Sequence, residues 1–157
     1  MPTTYSPSLK VALLGTGEDT GTWGTMTNDN LGTILEQAIT GWVDIVMTDA
    51  DYTLSHGDGT NPNESRNVVL SVKGTTTTTR SVIVPFINKL YIVYNGTNHS
   101  ISVRCATGIA TLVREGETIF VFVDGVDTHP GPNHTILQSG GGCTVTTVGN
   151  VTTISVP

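Results

Sequence analysis

Lys89-Leu90-Tyr91-Ile92-Val93-Tyr94, closed by Asn95-Gly96, is the stretch from which the fold class is read. Successive side chains of a strand point to opposite faces. Leu90, Ile92 and Tyr94 therefore share one face, and Tyr91 and Val93 the other. Asn-Gly after such a run marks a turn. The same pattern recurs on both sides of it. Ser81–Val84 ends at Pro85, and Ser100–Cys105 brings Ile101, Val103 and Cys105 together. Ile109–Val113, Arg114-Glu115-Gly116-Glu117 and Thr118–Asp124 read as a hairpin. Its second strand, Ile119-Phe120-Val121-Phe122-Val123, is apolar on both faces. That predicts a central strand covered on both sides. Upstream, Val43–Met47, Tyr52–Leu54 and Asn67–Lys73 are strand candidates, the last with Val68, Leu70 and Val72 on one side. Thr75–Thr79 is a loop or edge strand. Regular strand spacing predicts a mainly β fold, an antiparallel β-sandwich or compact barrel.

One segment departs from this pattern. In Thr22–Trp42, Leu31, Ile34, Leu35, Ala38 and Ile39 are spaced as i, i+3, i+4, i+7, i+8, one face of a helix. Thr27 or Asn28 suits the N-terminal cap and Asp29 the positive end of the dipole. Gly41 is a stop of the left-handed type. Gly32 in the interior costs roughly 1 kcal/mol against alanine. An amphipathic helix ordinarily covers its own sheet. Trp23 and Trp42 bracket this one, and with Leu31 and Leu35 they make it a candidate contact surface towards another chain.

Composition supports the β reading. Charged residues are 13 % of the 157, against roughly 25 % in typical domains. Threonine, serine, asparagine and 18 glycines take their place, and these favour strands and turns. The length implies a chain able to bury a core. Net charge is −6, with the seven Lys and Arg residues scattered, so phosphate-led nucleic-acid binding is not expected. No apolar run reaches the eighteen residues of a membrane helix. Met1–Tyr5 lacks a charged segment followed by an apolar core, so no signal peptide is expected.

The chain divides into an N-terminal arm and docking helix (1–42), a β domain (43–127), and a Gly/Pro-rich linker with a terminal hairpin (128–157). In the hairpin, Thr144–Val148 and Val151–Ser155 flank Gly149-Asn150, a two-residue turn signal. Cys143, Val145, Ile154 and Val156 then share one face. A lone hairpin is marginal in water. Val145 and Ile154 are therefore expected to pack on the domain or, by preference, between subunits.

The search for chemistry yields no catalytic residues, no cofactor-binding residues and no metal ligands. His56, His99, His129 and His134 form no ligand spacing. Asp49, Asp51 and Asp58 lack the spacing of a calcium loop and read as turn chemistry. There is no nucleophile elbow, P-loop or dinucleotide fingerprint. Cys105 and Cys143 read as reduced, buried thiols rather than as a disulfide.

Thr22-Trp23-Gly24-Thr25-Met26-Thr27-Asn28-Asp29-Asn30-Leu31-Gly32, followed by Ile34-Leu35-Glu36-Gln37-Ala38-Ile39, resembles the N-terminal segment of tail-fibre and other virion proteins of tailed bacteriophages, notably marine and cyanobacterial ones. Asp49–Leu54, Glu64–Leu70, Arg80–Pro85, Lys89–Asn95 and a closing strand like Thr118–Gly125 follow in the same order as in that family. The resemblance spans roughly residues 8 to 127. It implies a non-enzymatic structural module in a virion, a homo-oligomer with a trimer favoured, touching other virion proteins. A tail fibre or tail-associated position is expected, with a capsid decoration protein as the alternative. A module binding a host surface glycan is the rival from another class.

Overall fold

The computed structural model describes residues 3–17, 20–131, 144–148 and 151–155, the last two stretches as backbone. The chain is mainly β with one N-terminal helical segment. Thr4–Tyr5 (β1) and Ala12–Leu13 (β2) pair antiparallel as a short arm. Of the apolar-rich run Leu9–Leu14 only these two residues form a strand. The helical segment follows as Trp23–Asn28 (α1), a π-helical stretch Asp29–Leu35, and Glu36–Thr40 (α2).

Trp42–Met47 (β3) starts the β domain, and Tyr52–Thr53 (β4), Val69–Gly74 (β5), Arg80–Ile83 (β6), Asn88–Asn95 (β7) and Ile101–Arg104 (β8) follow. Thr111–Val113 (β9), Thr118–Asp124 (β10) and Thr128–Pro130 (β11) complete it. A 3₁₀ turn at Glu64–Arg66 precedes β5. One sheet has the order β11-β10-β7-β5-β3 and the other β4-β6-β8-β9.

The pairing corrects the antiparallel expectation. From β3 to β7 each strand's successor lies in the opposite sheet. Strands two apart in sequence therefore become neighbours, and they run parallel: β3 with β5, β5 with β7, β4 with β6 and β6 with β8. Within these two sheets antiparallel pairing is confined to β8–β9, β7–β10 and β10–β11. The hairpin expected between β9 and β10 does not form. Its four-residue connection crosses from one sheet to the other. Thr128–Pro130, read as the start of a linker, is a strand on β10.

The core lies between the sheets. Ile45, Met47, Leu70, Val72, Tyr91, Val93, Ile119, Val121 and Val123 come from the first. Leu54, Val82, Val84, Ile101, Val103, Cys105 and Val113 come from the second. Each such side chain contributes about 1.5–3 kcal/mol on leaving water. The period-2 reading of Lys89–Tyr94 holds: Tyr91 and Val93 are inside and Leu90 is outside. Cys105 is a free buried thiol, as expected, and burial raises its pKa. Cys143 lies outside the described residues.

The terminal hairpin has the expected register. Thr144–Val148 (β12) and Val151–Ser155 (β13) pair antiparallel, with Val145 opposite Ile154. The side chains of both, and their expected packing contacts, lie outside the described residues.

Candidate assembly surfaces

The spacing of the helix allows a cover for its own sheet or a contact surface towards another chain. Its inward face is mixed, with Ile34 buried and Met26 and Ala38 half-buried beside Asn30 and Gln37. Asn30 donates from Nδ2 to the carbonyl of Ala12 at 2.9 Å, and its Oδ1 accepts the Ala12 N–H at 3.0 Å. It thus satisfies both polar groups of a strand residue, as a neighbouring strand would. One turn on, Gln37 Oε1 accepts from Arg66 Nη1 at 3.0 Å. Of the expected stripe only Ile34 is buried, at 1 % exposure, while Trp23 is 61 % and Ile39 64 % exposed. Leu31 and Leu35 are exposed as well.

The π segment contributes to this. A π turn has more residues than the 3.6 of an α-turn. A four-residue spacing drifts less there, so Leu31 and Leu35 stay aligned. The helix also begins a turn earlier than expected. Thr27 is internal, its hydroxyl bonded to the Trp23 carbonyl at 2.8 Å. Gly41 is not the left-handed stop expected, since its φ is −65° and ψ 138°. It is needed for space: a Cβ there would lie 2.1 Å from the Gln37 carbonyl oxygen and 2.5 Å from Asn67 Oδ1.

Arg66 anchors this region. It is 2 % exposed. Its Nε donates to Leu9 O at 3.0 Å and Nη2 to Gly59 O at 2.8 Å. One side chain so joins the arm, the helix and the 57–59 loop. Lys89 Nζ donates to the Arg66 carbonyl, and Tyr91 Oη to that of Ser65 at 2.9 Å. Burial first, and then the Arg66 charge, push the Lys89 pKa down to about 8.

A second exposed apolar surface is the outer face of the five-stranded sheet. Here the expectation for β10 is overturned. Ile119, Val121 and Val123 are buried, but Phe120 and Phe122 are 44 % and 45 % exposed. Both strands flanking β10 belong to its own sheet, and its outer face has no layer over it among the described residues. Phe122 lies opposite Leu90 and Phe120 opposite Ile92. Trp42 and Val46 lie on the same side of β3 and are exposed. Trp42 Nε1 donates to Asp44 Oδ1 at 3.1 Å, and Lys73 Nζ to Asp44 Oδ2 at 2.8 Å. The hydrogen bond from Lys73 is the main cause holding the Asp44 pKa at about 2.

Of the aspartates read as turn chemistry, Asp49 and Asp51 serve the backbone. Asp49 accepts the Thr77 N–H at 2.8 Å and Arg80 Nε at 3.0 Å. Asp51 accepts the Ser81 N–H at 2.8 Å. Asp58 pairs with Lys10 at 3.3 Å. His129 meets Asp124 at 2.8 Å. Among the described residues no three His, Cys, Asp or Glu side chains are grouped to hold a metal ion. A polar cleft of about 430 Å³ lies between the helix and the 60–63 loop, lined by Thr33, Glu36, Gln37, Asn61 and Asn63, with Arg66 at its edge.

Of the expected contact residues, Trp23, Leu31 and Leu35 thus lie on the helix and Trp42 on the outer sheet face. Ile39, Val46, Leu90, Phe120 and Phe122 were missed. Their signal was present as strands and a helix with apolar residues on two faces. Such a pattern fits burial by the chain or by a partner equally well.

No protein-family model, curated protein or solved structure matches this chain.

Proposed function

We propose that this chain is a non-enzymatic structural protein of a bacteriophage virion. It works as a homo-oligomer, with a trimer favoured, in a tail fibre or tail-associated position. The observation that supports this best is the outward apolar stripe of the helix. A helix that turns Trp23, Leu31, Leu35 and Ile39 to water, while polar side chains hold it to its own domain, is suited to binding another chain. The sequence resemblance of the same segment to phage virion proteins supplies the setting. Capsid decoration is the alternative position in the particle.

The test is the native mass of the purified chain, followed by labelling of intact particles. An oligomer carried on particles fits the reading. A stable monomer absent from virions sinks it.

The polar cleft beside the helix favours a second reading, recognition of a host surface glycan. Its lining amides and carboxylate are suited to sugar hydroxyls. Among the described residues its lining offers no aromatic platform for a sugar ring, which ranks this reading second. Saturable binding on a glycan array, lost in Gln37→Ala, would reverse that order.

A further inference from the structure

We infer that the polar cleft beside the helix continues into a second cavity, and that the two together bind a neutral oligosaccharide of two or more rings, one of them against Tyr5. The inference rests on the glycan reading above and names the extent of the site and the class of its ligand.

The second cavity, of about 190 Å³, lies towards the start of the helix and is lined by Tyr5, Met26, Asp29, Asn30, Ile34 and Thr60. Thr60 lines the cleft as well, so the two meet there. The helix is their common wall. From Asp29 to Glu36 it rises on the order of 10 Å. Together the cavities fall within the roughly 300–1,000 Å³ of ligand sites.

Their linings differ as a sugar chain requires. In the cleft, the side chains of Thr33, Glu36 and Asn61 make no hydrogen bond among the described residues. In the turn behind them, those of Asn63, Glu64, Ser65 and Arg66 are all engaged within the chain. The cleft therefore offers hydroxyl, amide and carboxylate groups that are open to a ligand. The second cavity adds apolar surface from Met26 and Ile34, and the Tyr5 ring. A tyrosine presents an apolar body and a polar tip. A pyranose is its counterpart, with C–H groups on its faces and hydroxyls at its edge.

Charge selects a neutral ligand. Asp29 lines one cavity and Glu36 the other, and neither carboxylate has an ion partner among the described residues. An ionised carboxylate only accepts hydrogen bonds. It suits hydroxyl donors and repels an acidic sugar. Arg66, the one cation in either lining, is 2 % exposed and directs its donors to carbonyl oxygens of its own chain.

Tyr5 is set in place before any ligand arrives. Its arm buries only Ala12, and polar contacts fix it instead. Lys10 O accepts the Gly59 N–H at 2.9 Å, and Lys10 Nζ pairs with Asp58 at 3.3 Å. Arg66 holds Leu9, and Asn30 holds Ala12. The ring then lies beside Gly59, where a Cβ would stand 3.1 Å from Tyr5 Cε1. A side chain ordered in advance loses less freedom on binding.

The test presents the purified full chain to an array of neutral and acidic glycans. The glycan bound best, and its component monosaccharides, are then titrated by calorimetry and NMR. The expected ligand is neutral, has two or more rings, and binds about tenfold or more tighter than its monosaccharides. In the unmodified protein the Tyr5 ring protons and the Asn61 side-chain amide shift together on binding. Tyr5→Leu and Asn61→Ala each weaken binding by about fivefold or more. A ligand lost in Gln37→Ala that leaves the Tyr5 resonances in place, or that Tyr5→Leu binds as the parent does, is confined to the cleft and overturns the inference. Binding restricted to acidic glycans overturns it too. Both results leave the glycan reading standing. No saturable binding anywhere on the array overturns the two together.

Discussion

Arg66 donates a hydrogen bond to the side chain of Gln37 at 3.0 Å, and this pair ties the helix to the β domain. Arg66 donates to neutral carbonyl oxygens, those of Leu9, Gln37, Gly57 and Gly59. A guanidinium reaches them together because its donors spread in a plane. A lysine ammonium in its place serves fewer of them. Arg66→Lys is expected to cost about 3 kcal/mol and Gln37→Ala about 1 kcal/mol, read from urea unfolding. Hydrogen exchange of the helix amides should speed up in both. An Arg66→Lys protein as stable as the parent would show that the anchor is dispensable.

Acid should destabilise the fold through three carboxylates. Asp44, Asp49 and Asp124 have pKa values held at about 2, below the ordinary 3.8. For Asp49 the leading cause is the Thr77 backbone N–H, and for Asp124 that of Asp127. A carboxylate with a lowered folded-state pKa stabilises fully above its unfolded pKa and loses that contribution as pH falls through the folded value. Unfolding midpoints should therefore drop between about pH 4 and pH 2. Asp49 has a φ of 59°, which asparagine also tolerates, so Asp49→Asn is a clean probe. It should flatten part of the acid slope. An unchanged slope would remove Asp49 from this account.

Lys89 gives a slope of the same sign at alkaline pH, here because the fold disfavours its charged form. Its pKa is lowered from 10.5 to about 8. Between those values the unfolded chain binds more protons than the folded one, so stability rises with pH from about 8 to 10.5. Lys89→Met should abolish the rise. A Lys89 resonance titrating near its ordinary pKa would rule this out.

Gly41→Ala tests the junction between α2 and β3. The added Cβ collides with backbone at Gln37 and with the Asn67 side chain. Relief requires moving the helix, at a cost of about 2 kcal/mol or more by thermal unfolding. The backbone at Gly41 is one that alanine adopts freely, so a neutral result would mean the helix shifts without resistance.

Much of the β domain was legible because alternation is local. Tyr91 and Val93 against Leu90, and Ile101 with Val103, follow from a period of two wherever the strand is placed. The one helix was legible from its 3.6-residue spacing. Partner strands were not. Tyr94-Asn95-Gly96 looks like a hairpin turn, yet Asn95 is buried, its Nδ2 donating to His99 O at 2.8 Å and Val113 O at 3.0 Å. The chain there leaves for the other sheet. A turn signal marks where a strand ends, and pairing depends on contacts distant in sequence.

The same limit applies to the candidate surfaces. By itself the sequence determined which residues are apolar, at which period they recur, and that a mainly β chain carries one amphipathic helix. Only the tertiary structure decided which of two apolar faces is inside. In β10 it buried Ile119, Val121 and Val123 against the second sheet and left Phe120 and Phe122 in water. In the helix it placed Asn30 and Gln37 inward and Leu31, Leu35 and Ile39 outward. The physical reason is that hydrophobic burial is non-directional and scales with area. It rewards covering either face, and the choice falls to directional hydrogen bonds, here those of Ala12 with Asn30 and of Arg66 with Gln37.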